Sequence, residues 1–337
     1  MKAVGYVTSR PIQEPGALQD LDLPKPAPGP QDLLVKVAAI SVNPVDYKVR
    51  KGRQGTAEAP VVLGWDAVGT VEAIGSAVTS FRPGDEVFYA GDLNRPGSNA
   101  EYQVVDARIV GHKPRSLDAL SAAALPLTAL TAYEMLFDRL GIARGSASRG
   151  KKLLIIGGAG GVGSIAIQLA RQLTELTVIA TASRPETIAW VKERGAHHVI
   201  DHTKALPAEL ARISIDVVDY IFSTNASDKH WEGITAAIAP QGKVGLIDDP
   251  EPIDVRMLKR KSASLHWELM YTRALYATPD ISRQHDILNE IADLVDKGVI
   301  KTTLAENFGT INAANLIKAH ALLESGKSIG KIVLGGF

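Results

Sequence analysis

The run from Lys151 to Gly163, Lys-Lys-Leu-Leu-Ile-Ile-Gly-Gly-Ala-Gly-Gly-Val-Gly, constrains the fold more than any other part of the chain. Four apolar residues, Leu153 to Ile156, lead straight into a glycine-rich turn, and an apolar helical stretch, Ser164 to Leu173, follows at once. Gly158, Gly160 and Gly163 match G-x-G-x-x-G between a strand and a helix, the context in which the pattern signals a dinucleotide site. There, Gly158 serves the tight turn, Gly160 lets backbone approach a pyrophosphate, and Gly163 lets helix pack on strand. The backbone N–H groups at the helix opening, on Gly161, Val162 and Gly163, and the positive dipole end suit phosphate. The alternative is a glycine-rich turn that holds no ligand.

A chain of 337 residues exceeds the usual single-domain size and predicts two domains. Basic and acidic side chains number 37 each, which argues against a nucleic-acid or anionic-membrane partner. The start, Met1 to Tyr6, reads as a strand and not as a signal peptide. No run of about 20 uninterrupted apolar residues occurs, so no membrane span is expected and the expected location is cytoplasmic. The absence of cysteine excludes disulfides, a thiolate nucleophile and a Cys-ligated metal. The eight histidines form no H-x-x-x-H pair, and no metal site is expected.

Residues up to about 125 are β-rich, with strands predicted at Leu33 to Val42, Val68 to Ile74, Glu86 to Tyr89, Ala100 to Val105 and Ile109 to Gly111. Helices are predicted over Leu117 to Leu125 and Thr128 to Leu140. From Lys151, strands and helices alternate, which predicts a parallel sheet covered on both faces. Its strands are Leu153 to Ile156, Thr177 to Thr181, His198 to Ile200, Asp216 to Phe222 and Gly242 to Ile247, with Ser262 to Glu268 at an edge. The tail is helical over His285 to Lys297 and Ala313 to Glu324, and closes with a strand from Lys331 to Leu334.

Several motifs in this order identify a family resemblance: Asn43-Pro44-Val45-Asp46-Tyr47, Leu63-Gly64-Trp65-Asp66-Ala67-Val68-Gly69, Pro83-Gly84-Asp85-Glu86-Val87, Leu125 to Tyr133, and Ser325 to Leu334. Together they resemble the medium-chain dehydrogenase/reductase superfamily, in its quinone-reductase-like branch, and more narrowly the members labelled zinc-type alcohol dehydrogenase-like. The resemblance implies an α/β chain with a GroES-like β-rich domain (1–127 and 280–337) and an inserted Rossmann domain with a doubly wound parallel sheet (128–279). It also implies a homodimer or homotetramer. The zinc does not carry over. Where metal-dependent relatives place a Cys and a His, this chain has Asn43 and Trp65, and the third Cys ligand has no counterpart.

NAD-specific sites carry an acid at the end of the second strand. Here that stretch reads Thr181-Ala182-Ser183-Arg184-Pro185-Glu186, so NADP(H) is expected, with Ser183 and Arg184 at the 2′-phosphate. Ser183 to Glu186 also reads as a capping box with a solvated Arg184. By resemblance, His202 stands where relatives place a Tyr near the adenosine phosphate, and Thr128 lies beside the nicotinamide. Asn43 either donates to a substrate carbonyl or caps the turn before Pro44. Asp46 either orients Asn43 or caps a short helix, and Asp66 pairs with a basic residue of the C-terminal segment. Tyr47 supplies a phenolic proton or packs. Trp65 walls the substrate pocket or is plain core, and Tyr89 frames the pocket mouth. Trp267, in a stripe with His266, Met270 and Tyr271, lines the cleft or makes a sheet-edge contact.

These features predict a zinc-independent, NADPH-dependent reductase of a small quinone or α,β-unsaturated carbonyl, with no assignable general acid. The alternatives are a non-catalytic NADPH-binding protein and a zinc alcohol dehydrogenase.

Overall fold

The computed structural model describes residues 1–337 and divides into two units. One joins Met1–Leu130 to Tyr271–Phe337; the other is Thr131–Met270. The first junction falls inside a helix, where no turn residue marks it, whereas the sequence alone suggests 127/128 and 279/280.

The first unit opens with β1 (Lys2–Tyr6), β2 (Gln19–Asp22) and β3 (Asp32–Val42), then α1 (Pro44–Gly52) and β4 (Val61–Val62). β5 (Ala67–Ile74), β6 (Glu86–Tyr89), β7 (Tyr102–Asp106) and β8 (Val110–His112) follow, then α2 (Ala119–Ala123) and α3 (Pro126–Tyr133). β1 lies between β2 and β4 in a three-stranded sheet. The long β3 organises the larger sheet. It pairs with β5 on one edge, and two register shifts at Leu34/Val35 and Val37/Ala39 give it the local kinks of bulges. Leu33, Val35, Ala67, Val71, Val87 and Val105 form the apolar core between these strands.

In the second unit, β9 (Lys152–Ile156), α4 (Gly161–Leu173), β10 (Thr177–Thr181), α5 (Pro185–Glu193), β11 (His198–Ile200), α6 (Leu206–Arg212), β12 (Val218–Ser223), α7 (Ser227–Ala237), β13 (Ile238–Leu246) and β14 (Ser264–Trp267) alternate. All six strands are parallel, in the order β11-β10-β9-β12-β13-β14. The chain winds outward from β9 to β11, then returns to β12 beside β9 and winds the other way. That reversal is a topological switch point, where open α/β sheets bind ligands at the strand carboxyl ends. Leu154, Ile156, Ile179, Ile221, Val244 and Leu246 pack against Leu210 of α6 and Trp231 and Ile234 of α7.

The chain then re-enters the first unit with α8 (Thr272–Leu275), α9 (Arg283–Asp296), β15 (Leu304–Asn307), α10 (Ala313–Glu324) and β16 (Lys331–Gly335). β16 pairs antiparallel with the end of β3, Ile332 opposite Val42, which brings Lys331 to the residue that follows β3. The helical stretch Ala119–Arg139 is long and apolar enough to cross a membrane, but 83% of its window is buried inside the molecule, as in a core helix. It ends in a π-helical turn, Glu134–Arg139, before Gly141 at φ +62°.

Candidate active site

The glycine turn of the second unit sits at the switch point. The left-handed residue is Gly157, φ +80°, and not Gly158 as the motif suggests. A Cβ on Gly157 would meet Thr224 Oγ1 at 2.2 Å and Asn225 Oδ1 at 2.4 Å. Gly163 is needed for close packing, because a Cβ there would lie 2.3 Å from the Gly157 carbonyl oxygen. Gly160 is the N-cap of α4, and a Cβ on it would meet nothing closer than 3.5 Å. Thr181 braces the turn: its Oγ1 accepts from Gly157 N–H at 3.0 Å and its carbonyl from Gly158 N–H at 3.3 Å. Thr224 at the end of β12 donates from Oγ1 to the Ile156 carbonyl at 2.9 Å. The sequence motif does not name Thr224 or Asn225; only their place directly after β12 marks them.

Beyond β10, no carboxylate occupies the strand end. α5 is capped by Arg184 and not by Ser183: Thr187 Oγ1 accepts from Arg184 N–H at 3.1 Å, one residue later than the predicted box. The Arg184 guanidinium lies 2.7 Å from Glu186 and is 40% exposed. His202 meets His230 of α7 edge-on, with ring centroids 6.1 Å apart, and its buried Nδ1 has no protein partner. Burial and the neighbouring His202 hold His230 below the usual histidine range.

The first unit holds a buried polar cluster where β3 ends and β5 and β16 begin. Asn43, Asp46, Asp66 and Lys331 are all at most 3% exposed. Asp46 Oδ2 accepts from Asn43 N–H at 2.7 Å, so it both orients Asn43 and caps α1. Asn43 Nδ2 donates to Asp66 Oδ2 at 2.7 Å and to the Ser41 carbonyl at 3.4 Å. The basic partner of Asp66 is Lys331, at 2.9 Å; its ammonium also donates to Asn43 Oδ1 and to the Val42 carbonyl. Asp66 Oδ1 accepts from Leu127 N–H at 2.7 Å, satisfying the opening turn of α3. Burial raises the Asp66 carboxyl, against the pull of Lys331. Burial also pushes Asp46 up to about 7, opposed by Asn43 N–H. The Asn43 amide hydrogens and all three Lys331 hydrogens are therefore engaged within the protein.

The other predicted residues lie as follows. Tyr47 is half-buried on α1, with the Lys51 ammonium 4.9 Å from its ring centre. Thr128 is buried and donates to the Leu125 carbonyl at 3.1 Å. Trp65 is buried and donates from Nε1 to the Asp92 carbonyl at 3.3 Å. Tyr89 belongs to the apolar core of the larger sheet, and its hydroxyl has no protein partner. Trp267 is 52% exposed on the edge strand β14 of the second unit.

Structural zinc and catalytic zinc take Cys, His and carboxylate donors. The cluster instead offers an amide and an ammonium, and both its carboxylates are bound by N–H donors; no group of His, Cys, Asp and Glu assembles to hold a metal. These residues do not fit a zinc ion.

The family model for an alcohol dehydrogenase GroES-like domain matches residues 29–115, and that for a zinc-binding dehydrogenase matches 194–334. A zinc-type alcohol dehydrogenase-like protein of Staphylococcus aureus is 43% identical over 336 residues, covering 99% of both chains. The chain belongs to the medium-chain dehydrogenase/reductase superfamily. As a member, it is an oxidoreductase. A 2-methylene-furan-3-one reductase of Solanum lycopersicum is 29% identical to this dehydrogenase/reductase over 313 residues, 90% of this chain and 71% of its own. A crystal structure from Rhizobium etli, of a protein whose assignment as a zinc-dependent alcohol dehydrogenase is provisional, aligns at TM-score 0.96 and 56% identity over 100% of this chain and 98% of that one. A mycobacterial protein complexed with NADPH aligns at TM-score 0.84 and 27% identity over 99% and 100%. The quinone oxidoreductase of Coxiella burnetii aligns at 0.80 and 28% over 100% and 99%.

Proposed function

We propose that this chain is a zinc-independent, NADPH-dependent reductase of a quinone or an α,β-unsaturated carbonyl. The observation that carries the reading is the Asn43–Asp66–Lys331 cluster. Where metal-dependent relatives hold an ion, this chain holds a hydrogen-bonded network that leaves no ligand free. Alcohol oxidation then lacks the Lewis acid that forms an alkoxide at neutral pH, whereas an acceptor that already delocalises charge can still take hydride.

A reduced nicotinamide, when bound, supplies the hydride. Gly158, Gly160, Gly161, Val162 and Gly163 are the residues for the pyrophosphate, with Thr181 and Thr224 bracing their turn. Ser183 and Arg184 are the residues for a 2′-phosphate, which competes with Glu186 for the guanidinium, and His202 lies one strand further along. The NADPH complex of the mycobacterial relative, the Coxiella quinone oxidoreductase and the Solanum reductase support this cofactor and acceptor class.

The test is nucleotide oxidation against a panel of quinones and enones, with and without a chelator, using NADPH and NADH. Turnover that survives chelation and favours NADPH is expected. Arg184→Ala is expected to weaken NADPH roughly tenfold to a hundredfold and leave NADH unchanged, since a hydrogen bond to a charged group contributes about 1.5–3 kcal/mol. Loss of turnover on chelation overturns the reading; tight NADPH binding with no acceptor turned over favours a binding protein instead.

A further inference from the structure

The parallel sheet of the second unit has two edge strands, β11 and β14. We propose that α6 closes the β11 edge to a second copy of this chain, with the side chains of Glu209 and Arg212 occupying the hydrogen-bonding positions that an added strand would take. β11 pairs with β10 on one side only, Val199 opposite Ala180. Along it runs a groove of about 430 Å³, lined by Ile188 and Lys192 of α5, by Glu209 and Arg212 of α6 and by the following Ile213. The groove has apolar walls and room for another segment, and an unpaired strand edge is a template for pairing. The backbone at this edge is nevertheless engaged. Arg212 donates from Nη2 to the Val199 carbonyl at 3.3 Å, and Glu209 Oε2 accepts from Asp201 N–H at 2.9 Å. The two side chains also hold each other: Arg212 donates from Nε to Glu209 Oε1 at 3.2 Å and from Nη2 to Oε2 at 2.9 Å.

One ion pair thus supplies both a donor and an acceptor to backbone groups two residues apart, as a neighbouring strand does. All four residues lie between positions 199 and 212, so the cover forms within a single copy. An incoming strand must break both bonds and leave the Glu209 carboxylate, 5% exposed, without its partners, an unfavourable exchange. Lys192 and Lys204, which also line the groove, add cations that a second sheet would have to bury. β14 differs: no strand lies outside it, and Trp267 and Leu269 nearby are exposed. The difference matters for assembly. Contact between two β14 edges uses the same surface on both copies and closes at a pair, whereas two open edges let copies add without end. Closing β11 therefore limits growth along the sheet.

The test is light scattering on the full chain over a concentration series, with far-UV circular dichroism to show that each variant is folded. Glu209→Ala combined with Arg212→Ala is expected to reach at least about double the wild-type mean mass and to grow with concentration. Arg212→Ala alone is a milder variant, because that side chain is 55% exposed and the core does not need it; smaller growth of the same kind is expected. Adding Val199→Pro to the double variant is expected to return the mass to the wild-type value, since proline blocks pairing at an edge strand. Folded double and single variants that both keep the wild-type mass at every concentration overturn the proposal. Growth that survives Val199→Pro overturns it too, because the copies then join elsewhere.

Discussion

Lys331 is the residue on which the first unit's polar cluster turns. Its ammonium is buried and donates to three oxygens, and it matches the charge of an Asp66 that is also buried. Removing one partner of a buried pair leaves an uncompensated charge and typically costs about 3–5 kcal/mol. Lys331→Met is therefore expected to lower stability by about that amount, read as a shift in the urea midpoint at neutral pH; a change below about 1 kcal/mol would show that the pair is not a structural support. The sequence reading expects Asp66 to pair with a basic residue of the C-terminal segment; that the partner is Lys331 comes from the structure. The Asn43 amide illustrates the limit further. Its residue type suits a substrate contact, but whether its hydrogens are free depends on Asp66 and Ser41, and both take one.

Among the elements, the strands and helices of the second unit are the most legible. β9 and β10 stand out as short, mainly apolar runs without alternation, as strands buried on both faces do, whereas β12 carries Asp219 and β13 carries Gln241 and Lys243. α6 escapes detection because Pro207 in its first turn looks like a breaker, though that position tolerates proline. β15 escapes because its four residues are only half-buried or exposed and carry no alternating pattern. The edge strand β14 leads to a prediction. No strand of the chain covers its outer edge, and Trp267 and Leu269 nearby are each 52% exposed. An open edge flanked by large apolar side chains is a template for pairing with a second copy. A homodimer through β14 is expected, with the dimer mass in light scattering and a shift to monomer for Trp267→Lys; a wild-type monomer at micromolar concentration would count against it.

For the whole molecule, two buried groups of the first unit set opposite dependences on pH. His320 is buried with neither ring nitrogen partnered, and burial lowers it from 6.5 to about 3. The unfolded chain binds a proton there that the folded chain refuses, so this term removes stability as pH falls from 6.5 toward 3. Asp46 is raised from 3.8 to about 7, so the folded chain holds a proton that the unfolded one releases. That term removes stability as pH rises from 3.8 toward 7. Each has a limiting slope of about 1.4 kcal/mol per pH unit, and where the windows overlap they offset. His320→Leu is expected to expose the Asp46 slope, with stability falling as pH rises through this range, and Asp46→Asn the reverse. Denaturant titrations between pH 4 and 7 check both; two parallel, flat profiles would refute the pairing.

The chain alone determines the class of fold, the glycine turn and the absence of an acid after β10, because each follows from local spacing and composition. Tertiary structure decides which donors are engaged and which carboxylate meets Lys331. Those outcomes depend on residues far apart in sequence, such as position 43 and position 331, that only the pairing of β3 with β16 brings within hydrogen-bond distance.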